Sequence, residues 1–553
     1  MRASRLVVIV AILSTACSTV LGVPDATTYM VPMRDGVELA TDLYLPDGQG
    51  PYPTILIRTT YNKDAESKGV RFVAAMAKQY IDNGYAVVAQ DTRGRFQSQG
   101  VDSVFFTDGV GPLRDGYDTI EWIVSQEWSN GNVGMLGISA LGITTYLAAA
   151  SGHPALKAAH VIMCASNLYD DVFYPGGVYR QRMSDTWVTG QGRADFLPFI
   201  RSHASYDSIW QRVDLLRHAG ESQAAVYQWG GWFDCMSQGN TRAFTELHER
   251  GGNGARGNQM LVMGAWSHHG AGRNQGELRF PENTTDILPN QDALKWFDRH
   301  LRGEVTSLDT IPPVRYYLMG DVDDSLAIGN IWMSDVTWPP GKVSQVSYYL
   351  SNDGLLSPEQ PKSEDSHSVT YEYDPENPVP TLGGLNLYGK AGPVDLSSVE
   401  SRSDVVTFTS APLSEPVAIA GNVRVRLYAE SDCLDTDFMA FLTDVYPDGR
   451  SMLILDGAIR ARYRDSKESA EFMDPGTVYE FDINLWDTAI VFNRGHRIRL
   501  NISSSNAPRF EPNPNTATAL GEDSLTVIAR NTVHFGIDRP SAIILPVIPL
   551  PER

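Results

Sequence analysis

The sequence predicts an α/β protein in three parts: a parallel sheet with helices on both faces, a helical cap inserted into it, and a C-terminal β-sandwich or jelly roll. Three observations predict this. Short apolar runs alternate with helix-period segments over residues 27–165 and again over 222–342. An aromatic and polar stretch without a clear strand, 166–221, interrupts the alternation. Over 343–553 the helical period vanishes and short alternating runs recur between turn residues.

Each element follows from its local pattern. Residues 29–46 alternate about Gly36, as a leading hairpin does. Residues 52–58 (YPTILIR) follow proline and glycine and form a buried-strand run. Over 68–83, Phe72, Met76 and Tyr80 recur at helical spacing. Residues 85–90 (YAVVAQ) are a second apolar strand, 115–126 a helix, 133–136 a strand and 141–151 a helix of small residues. After the interruption, strands are expected at 225–228, 260–263 and 314–319, with helices at 241–250 and 292–301. In the last part the strands are expected at 423–429, 438–444, 459–463, 478–484, 497–503 and 531–535, and 351–368 is a polar, proline-bearing loop.

Composition bounds the function. The 553 residues exceed one core and suit roughly three to four domains. Apolar residues at 42% and charged residues at 20% argue against a disordered or multi-span membrane chain. The net charge of −21 comes without a Lys/Arg cluster, which argues against a nucleic-acid partner. Residues 1–22 predict an export signal: Arg2 and Arg5 precede the apolar run 6–13, and small residues follow up to Cys17. That run is too short for a membrane span, which takes about 20 residues. Cutting before Cys17 leaves a lipid anchor on that cysteine, and cutting after Gly22 releases a free protein. Either way the expected location is outside the cytoplasm: secreted, periplasmic or membrane-anchored. Cys164, Cys235 and Cys433 show no CxxC and no regular spacing, so neither a disulfide framework nor a zinc knot is expected.

The chemistry is expected where strand 133–136 turns into helix 141–151, at Gly137-Ile138-Ser139-Ala140-Leu141-Gly142. A serine on such a turn is held at a strained backbone angle with its hydroxyl exposed, and glycines are needed where side chains would clash. The Ala140 amide, opening the helix, can point at a developing oxyanion. The competing reading is an ordinary serine N-cap. A serine is a poor nucleophile until a base takes its proton. In this kind of sheet the acid and then the histidine follow later strands. Asp234, in Gly230-Gly231-Trp232-Phe233-Asp234, and His268, in Gly264-Ala265-Trp266-Ser267-His268, stand there. His269 is the rival base. Tyr61, past strand 52–58, could donate a second hydrogen bond to the oxyanion, although a half-buried loop tyrosine fits the spacing as well.

These segments together resemble the cocaine-esterase-like family (CocE/NonD hydrolases), related to X-Pro dipeptidyl-peptidases and α-amino-acid ester hydrolases. The resemblance rests on Arg58-Thr59-Thr60-Tyr61, 84–94 (GYAVVAQDTRG), 130–142 (NGNVGMLGISALG), Gly231-Trp232-Phe233-Asp234, Trp266-Ser267-His268, 296–303 (WFDRHLRG) and 495–506 (GHRIRLNISSSN). It implies an α/β-hydrolase core, a helical cap and a C-terminal jelly roll. It also implies Ser139, Asp234 and His268 as a catalytic triad, with Tyr61 and the Ala140 amide as oxyanion hole. Ala140 departs from the tyrosine usual after the family's nucleophile. The backbone donor survives that change, but the pocket wall beside the serine differs.

The expected reaction is hydrolysis of a small-molecule ester or amide through an acyl-enzyme. An X-Pro dipeptidyl-peptidase or α-amino-acyl ester hydrolase is the enzymatic alternative. A glycan-binding surface protein with a degenerate core is the non-enzymatic one. The cap aromatics Tyr169, Phe173, Tyr174, Tyr179 and Trp187 could line a pocket or form cap core. Trp232 and Trp266 flank the acid and base and join Tyr169 and Phe173 as substrate-binding candidates. Asp170 and Asp171 could hold a substrate ammonium, with Asp64 a third candidate. Neither metal nor organic cofactor is expected: there is no HExxH, and His268 and His269 are adjacent rather than one helical turn apart. The sequence leaves open whether the chain forms a homo-oligomer.

Overall fold

The computed structural model describes residues 25–551 except 68–69, 290, 363–366 and 519–524. The predicted export signal and Cys17 lie outside the described residues. Ten strands form the first sheet: β1 (Thr27–Pro32), β2 (Glu38–Tyr44), β3 (Tyr52–Thr59), β4 (Ala86–Asp91), β5 (Ser129–Ile138), β6 (Leu156–Ile162), β7 (Ala225–Phe233), β8 (Met260–Ser267), β9 (Val314–Leu318) and β10 (Ile331–Asp335). Their spatial order is β1-β2-β4-β3-β5-β6-β7-β8-β9-β10. The strands from β4 to β9 in that order pair in parallel; the β1–β2 hairpin, β2 on β4, and β10 on β9 pair antiparallel.

Burial explains why the central strands are nearly continuous apolar runs. Both faces of a parallel sheet are covered, so no alternation survives in the sequence. Along β3, Leu56 packs with helices α2 (Asp115–Val124) and α3 (Ala140–Ala150) on one face. Ile55 and Ile57 pack with α1 (Phe72–Ile81) and Trp296 on the other. The leading hairpin forms as expected, with Pro32 opposite Glu38 and Gly36 at φ +82° in its turn.

Strand β6 and strand β10 were not expected. The β6 segment LKAAHVI lacks a period, and only its position between β5 and β7 makes it a strand. Strands β7 and β8 run past their expected ends, because glycines lie inside them. A Cβ on Gly231 would sit 2.2 Å from the Trp266 carbonyl oxygen, so glycine here permits close strand approach rather than a turn.

Between β6 and β7 the chain makes short helical pieces, including Tyr169–Phe173, α4 (Gln181–Gly190) and α5 (Leu197–Ser202). They pack over α2 and α3 through Tyr169, Phe173, Ile200 and Trp210. The C-terminal part is β-rich, an 11-stranded sheet whose expected strands are longer than their cores of alternation, such as Val417–Ser431 and Tyr479–Phe492. The expected strand 459–463 is instead the end of Ser451–Arg460 and a 3-10 turn at Ala461–Tyr463. Its core is continuous with β7, β8 and β9 through Trp232, Met263 and Tyr316. The Met319 amide donates to the Ala489 carbonyl at 3.0 Å, and Val491 returns the bond at 2.9 Å, so the two sheets are stitched by backbone.

Candidate active site

Ser139 occupies the one-residue turn between β5 and α3 at φ 56° and ψ −124°, a conformation that costs a non-glycine residue energy. The turn can be this sharp because Gly137, two residues before the serine, and Gly142, three after, have no side chains. A Cβ on Gly137 would lie 2.1 Å from the Leu141 carbonyl oxygen, and one on Gly142 would press on Cys164 at 2.9 Å. The serine hydroxyl makes no cap bond to the helix, which removes the N-cap reading. It lies instead 2.9 Å from His268 Nε2. The Ala140 amide is at the first position of α3, where helix geometry supplies no intrahelical acceptor.

His268 follows β8, and Asp234 follows β7. His268 Nδ1 is 2.7 Å from Asp234 Oδ2. All three side chains are buried. The Asp234 turn is held by its own carboxylate, which accepts from the Met236 amide at 2.7 Å. Burial alone would lower the His268 pKa. The adjacent Cys235 sulfur and the Asp234 carboxylate outweigh it and hold the pKa well above the usual histidine value. His269 is exposed and is not part of this chain of contacts. Chemically, an imidazole so held can take the serine proton at Nε2 while its Nδ1–H donates to the carboxylate.

Trp187 of α4 lines a narrow, almost wholly apolar cavity over Ser139, together with Phe105, Ile143, Val172, Phe173 and Leu387. Its indole N–H donates to the Tyr61 hydroxyl at 2.9 Å. Tyr61 is thus tied to one of the cavity's lining residues, with its own O–H proton uncommitted to that bond. Burial pushes the phenol pKa up to about 12, so it remains a donor at neutral pH.

Residues 35–196 and 180–270 match the X-Pro dipeptidyl-peptidase (S15 family) profile, and 307–544 match the X-Pro dipeptidyl-peptidase C-terminal non-catalytic domain. The chain is 33% identical to cocaine esterase of Rhodococcus sp. (strain MB1 Bresler), over 95% of this chain and 98% of that one. The chain belongs to the cocaine-esterase-like (CocE/NonD) family of serine hydrolases. Among solved structures it is similar to an aminopeptidase from a marine sediment Thaumarchaeota archaeon, with a TM-score of 0.82 at 25% identity, covering 96% of this chain and 98% of that one. An α-amino acid ester hydrolase gives a TM-score of 0.78 at 25% identity with the same coverage.

Within this CocE/NonD hydrolase, the expected substrate wall needs correction. Of the candidates, Phe173 lines the cavity over Ser139 and Tyr169, Asp170, Asp171, Trp232 and Trp266 do not. Tyr169 is cap core: it stacks on Tyr174 at 5.2 Å and donates to the Ala204 carbonyl at 2.7 Å. Asp170 is taken up by Lys467 at 2.8 Å and Arg242 at 3.3 Å, in a cleft against the C-terminal part. Asp171 is fully buried and accepts from the Ser166 and Asn167 amides at 2.9 Å each. Trp232 donates to the Tyr317 carbonyl at 2.8 Å and packs into the inter-domain core. Trp266 lies flat on Trp229 at 4.4 Å, in the cluster on the other face of the sheet. Asp64 pairs with Lys63 at 2.7 Å.

Several residues of the site were not found from the sequence, among them the lining residues Phe105, Ile143, Val172, Met183 and Leu387, and also Arg180. Leu387 reaches the cavity from the C-terminal part. Arg180 is fully buried and donates to the carbonyls of Cys235 (2.7 Å), Asp171 (3.1 Å) and Leu385. It ties the acid's turn, the cap and the C-terminal loop together. A lone arginine in a cap has no local pattern that marks such a role. Asp234, Cys235 and His268 also present three ligand atoms of the kinds a metal ion takes.

Proposed function

We propose that this hydrolase cleaves carboxylic esters of small apolar acyl groups through an acyl-enzyme. His268 Nε2 takes the Ser139 proton as the oxygen attacks the ester carbonyl. The Asp234 carboxylate holds the imidazole tautomer and stabilises the imidazolium. The Ala140 amide and the Tyr61 hydroxyl donate to the tetrahedral oxyanion. His268 then returns the proton to the departing alkoxide, and the ester C–O bond breaks. Water, deprotonated by the same imidazole, releases the acid and restores Ser139. The observation that carries this reading is the continuous Ser139–His268–Asp234 contact at 2.9 and 2.7 Å with the serine strained at φ 56°.

The cavity lining favours simple acyl esters over α-amino acyl substrates. Its walls are Phe173, Val172, Ile143, Met183 and Leu387, and no carboxylate is among the described lining residues to hold an ammonium. The test is Ser139→Ala assayed with p-nitrophenyl acetate, with circular dichroism and melting as fold controls. Turnover should fall by about 10⁶ with the fold intact. Retained turnover removes Ser139 from the mechanism. A panel of acetyl, aminoacyl and X-Pro substrates on the native protein should rank the acetyl ester first, and a preference for X-Pro amides would favour a peptidase instead.

A further inference from the structure

Cys235 directly follows Asp234, is fully buried and forms no disulfide. Its sulfur, one ring nitrogen of His268 and one carboxylate oxygen of Asp234 all lie within 4.8 Å of one another. No hydrolytic step makes or breaks a bond to that sulfur, since Asp234 already orients the imidazole. Thiolate, imidazole and carboxylate are the donor set that zinc takes, at about 2.0–2.3 Å, which puts tetrahedral ligand atoms about 3.3–3.8 Å apart. Zinc spacing requires the hydrogen-bonded Nδ1–Oδ2 pair, 2.7 Å apart, to open by about 0.6 Å, with the sulfur, already within 4.8 Å of the carboxylate oxygen and a ring nitrogen, settling at about 3.5 Å from each; that completes three corners of a zinc site. Arg180 steadies the cysteine's backbone through the Cys235 carbonyl at 2.7 Å.

We propose that Asp234, Cys235 and His268 form an inhibitory site for a zinc-class divalent cation, by which the enzyme is reversibly switched off. The proposal rests on the catalytic reading above. Asp234 lies on the Nδ1 side of the ring, so the ion meets the imidazole there. The Nδ1 proton moves to Nε2, and the Cys235 thiol loses its proton to solvent. One proton is released for each ion bound. Nε2, now protonated, cannot accept from Ser139, and Asp234 no longer serves the ring. The fourth corner stays with water. A hard cation such as Mg²⁺ gains nothing from the sulfur and does not compete.

The test uses the full chain, stripped with a chelator and titrated with zinc chloride during p-nitrophenyl acetate turnover. Zinc should abolish turnover, the chelator should restore it, and magnesium at equal concentration should do nothing. Inhibition is scored against each variant's own metal-free rate. In Cys235→Ala the zinc needed for half-inhibition should rise at least about 10–100-fold. Equal zinc sensitivity of Cys235→Ala and the native chain overturns the proposal. Cobalt(II) provides a second readout that needs no activity: a sulfur-to-cobalt charge-transfer band should appear in both the native chain and Ser139→Ala. Its absence from Ser139→Ala also overturns the proposal. If the native chain shows no esterase activity, the catalytic reading fails, and the cobalt band alone still decides whether the ion site exists.

Discussion

Replacing Tyr61 by phenylalanine removes one hydroxyl and little else, so it isolates the oxyanion donor. The Trp187 indole donates to that oxygen at 2.9 Å, which leaves the phenol's own proton free for the proposed bond to the oxyanion. With a pKa near 12, about one phenol in 10⁴ is ionised at pH 8, so the donor is present across the working range. Loss of one oxyanion donor costs about 10²–10³ in kcat, or about 2.7–4 kcal/mol. Trp187→Phe keeps the apolar wall but leaves Tyr61 without its anchor. One net neutral hydrogen bond is worth about 0.5–1.5 kcal/mol, so that variant should lose only about 2- to 13-fold. Steady-state turnover of p-nitrophenyl acetate measures both. In Tyr61→Phe the loss should fall on kcat, with KM little changed, because the developing oxyanion exists only in the transition state. An unchanged kcat in Tyr61→Phe, or a loss no larger than that of Trp187→Phe, refutes the assignment.

Two further outcomes follow from the charges. His268 must be neutral to accept the serine proton and its pKa is raised, so kcat/KM should fall on acidification through a midpoint above about 6.5; a flat profile or a lower midpoint contradicts this. His496, between Asp444 at 2.9 Å and Asp321 at 3.3 Å, has its pKa raised to about 9 by those two bonds despite opposing burial. Its stabilisation is full below the unfolded value of about 6.5 and is lost as pH rises through about 9. Discounted for solvent and for burying Asp444, it amounts to about 1–2 kcal/mol. Denaturant melts at pH 6 and pH 10 should show this loss in the native chain and not in His496→Asn.

The parts of the fold that were legible are those where one local rule suffices. Strand β3 is a buried run between breakers, and α1 carries Phe72, Met76 and Tyr80 at helical spacing with Tyr80 fully buried. The segments that bring Ser139, His268 and Asp234 into contact were legible for a related reason. Each of these residues sits just past the end of a parallel strand, and the apolar runs locate those strands, although β7 and β8 continue through their glycines to Phe233 and Ser267. Strand β6 was illegible because its alanines fit a helix as well as a strand, and only pairing with β5 and β7 decides. Trp232 and Trp266 illustrate the opposite error. Both are two residues from Asp234 and His268, but the tryptophans lie inside β7 and β8 while Asp234 and His268 stand past the strand ends, so strand alternation does not relate their directions. Trp232 enters the inter-domain core, and Trp266 stacks on Trp229 beneath the sheet.

The pocket was the least legible part because no single segment builds it. Phe105 precedes α2, Ile143 is on α3, Phe173 and Met183 belong to the cap, and Leu387 comes from the C-terminal part. Whether a cap aromatic lines that space or fills the cap depends on which way the cap leans, and Arg180 bears on that. Its guanidinium is fully buried and bonded to carbonyls on the acid's turn, the cap and the 385 loop. Desolvation and the nearby Arg509 charge lower its pKa to about 10, still high enough to keep it charged at neutral pH. Removing it would leave three buried acceptors unsatisfied. A cation held at that cost fixes the cap and the C-terminal loop against the turn that carries Asp234. The C-terminal part is thereby a component of the candidate site's geometry, even though among the described residues it supplies only Leu387 to the cavity's lining.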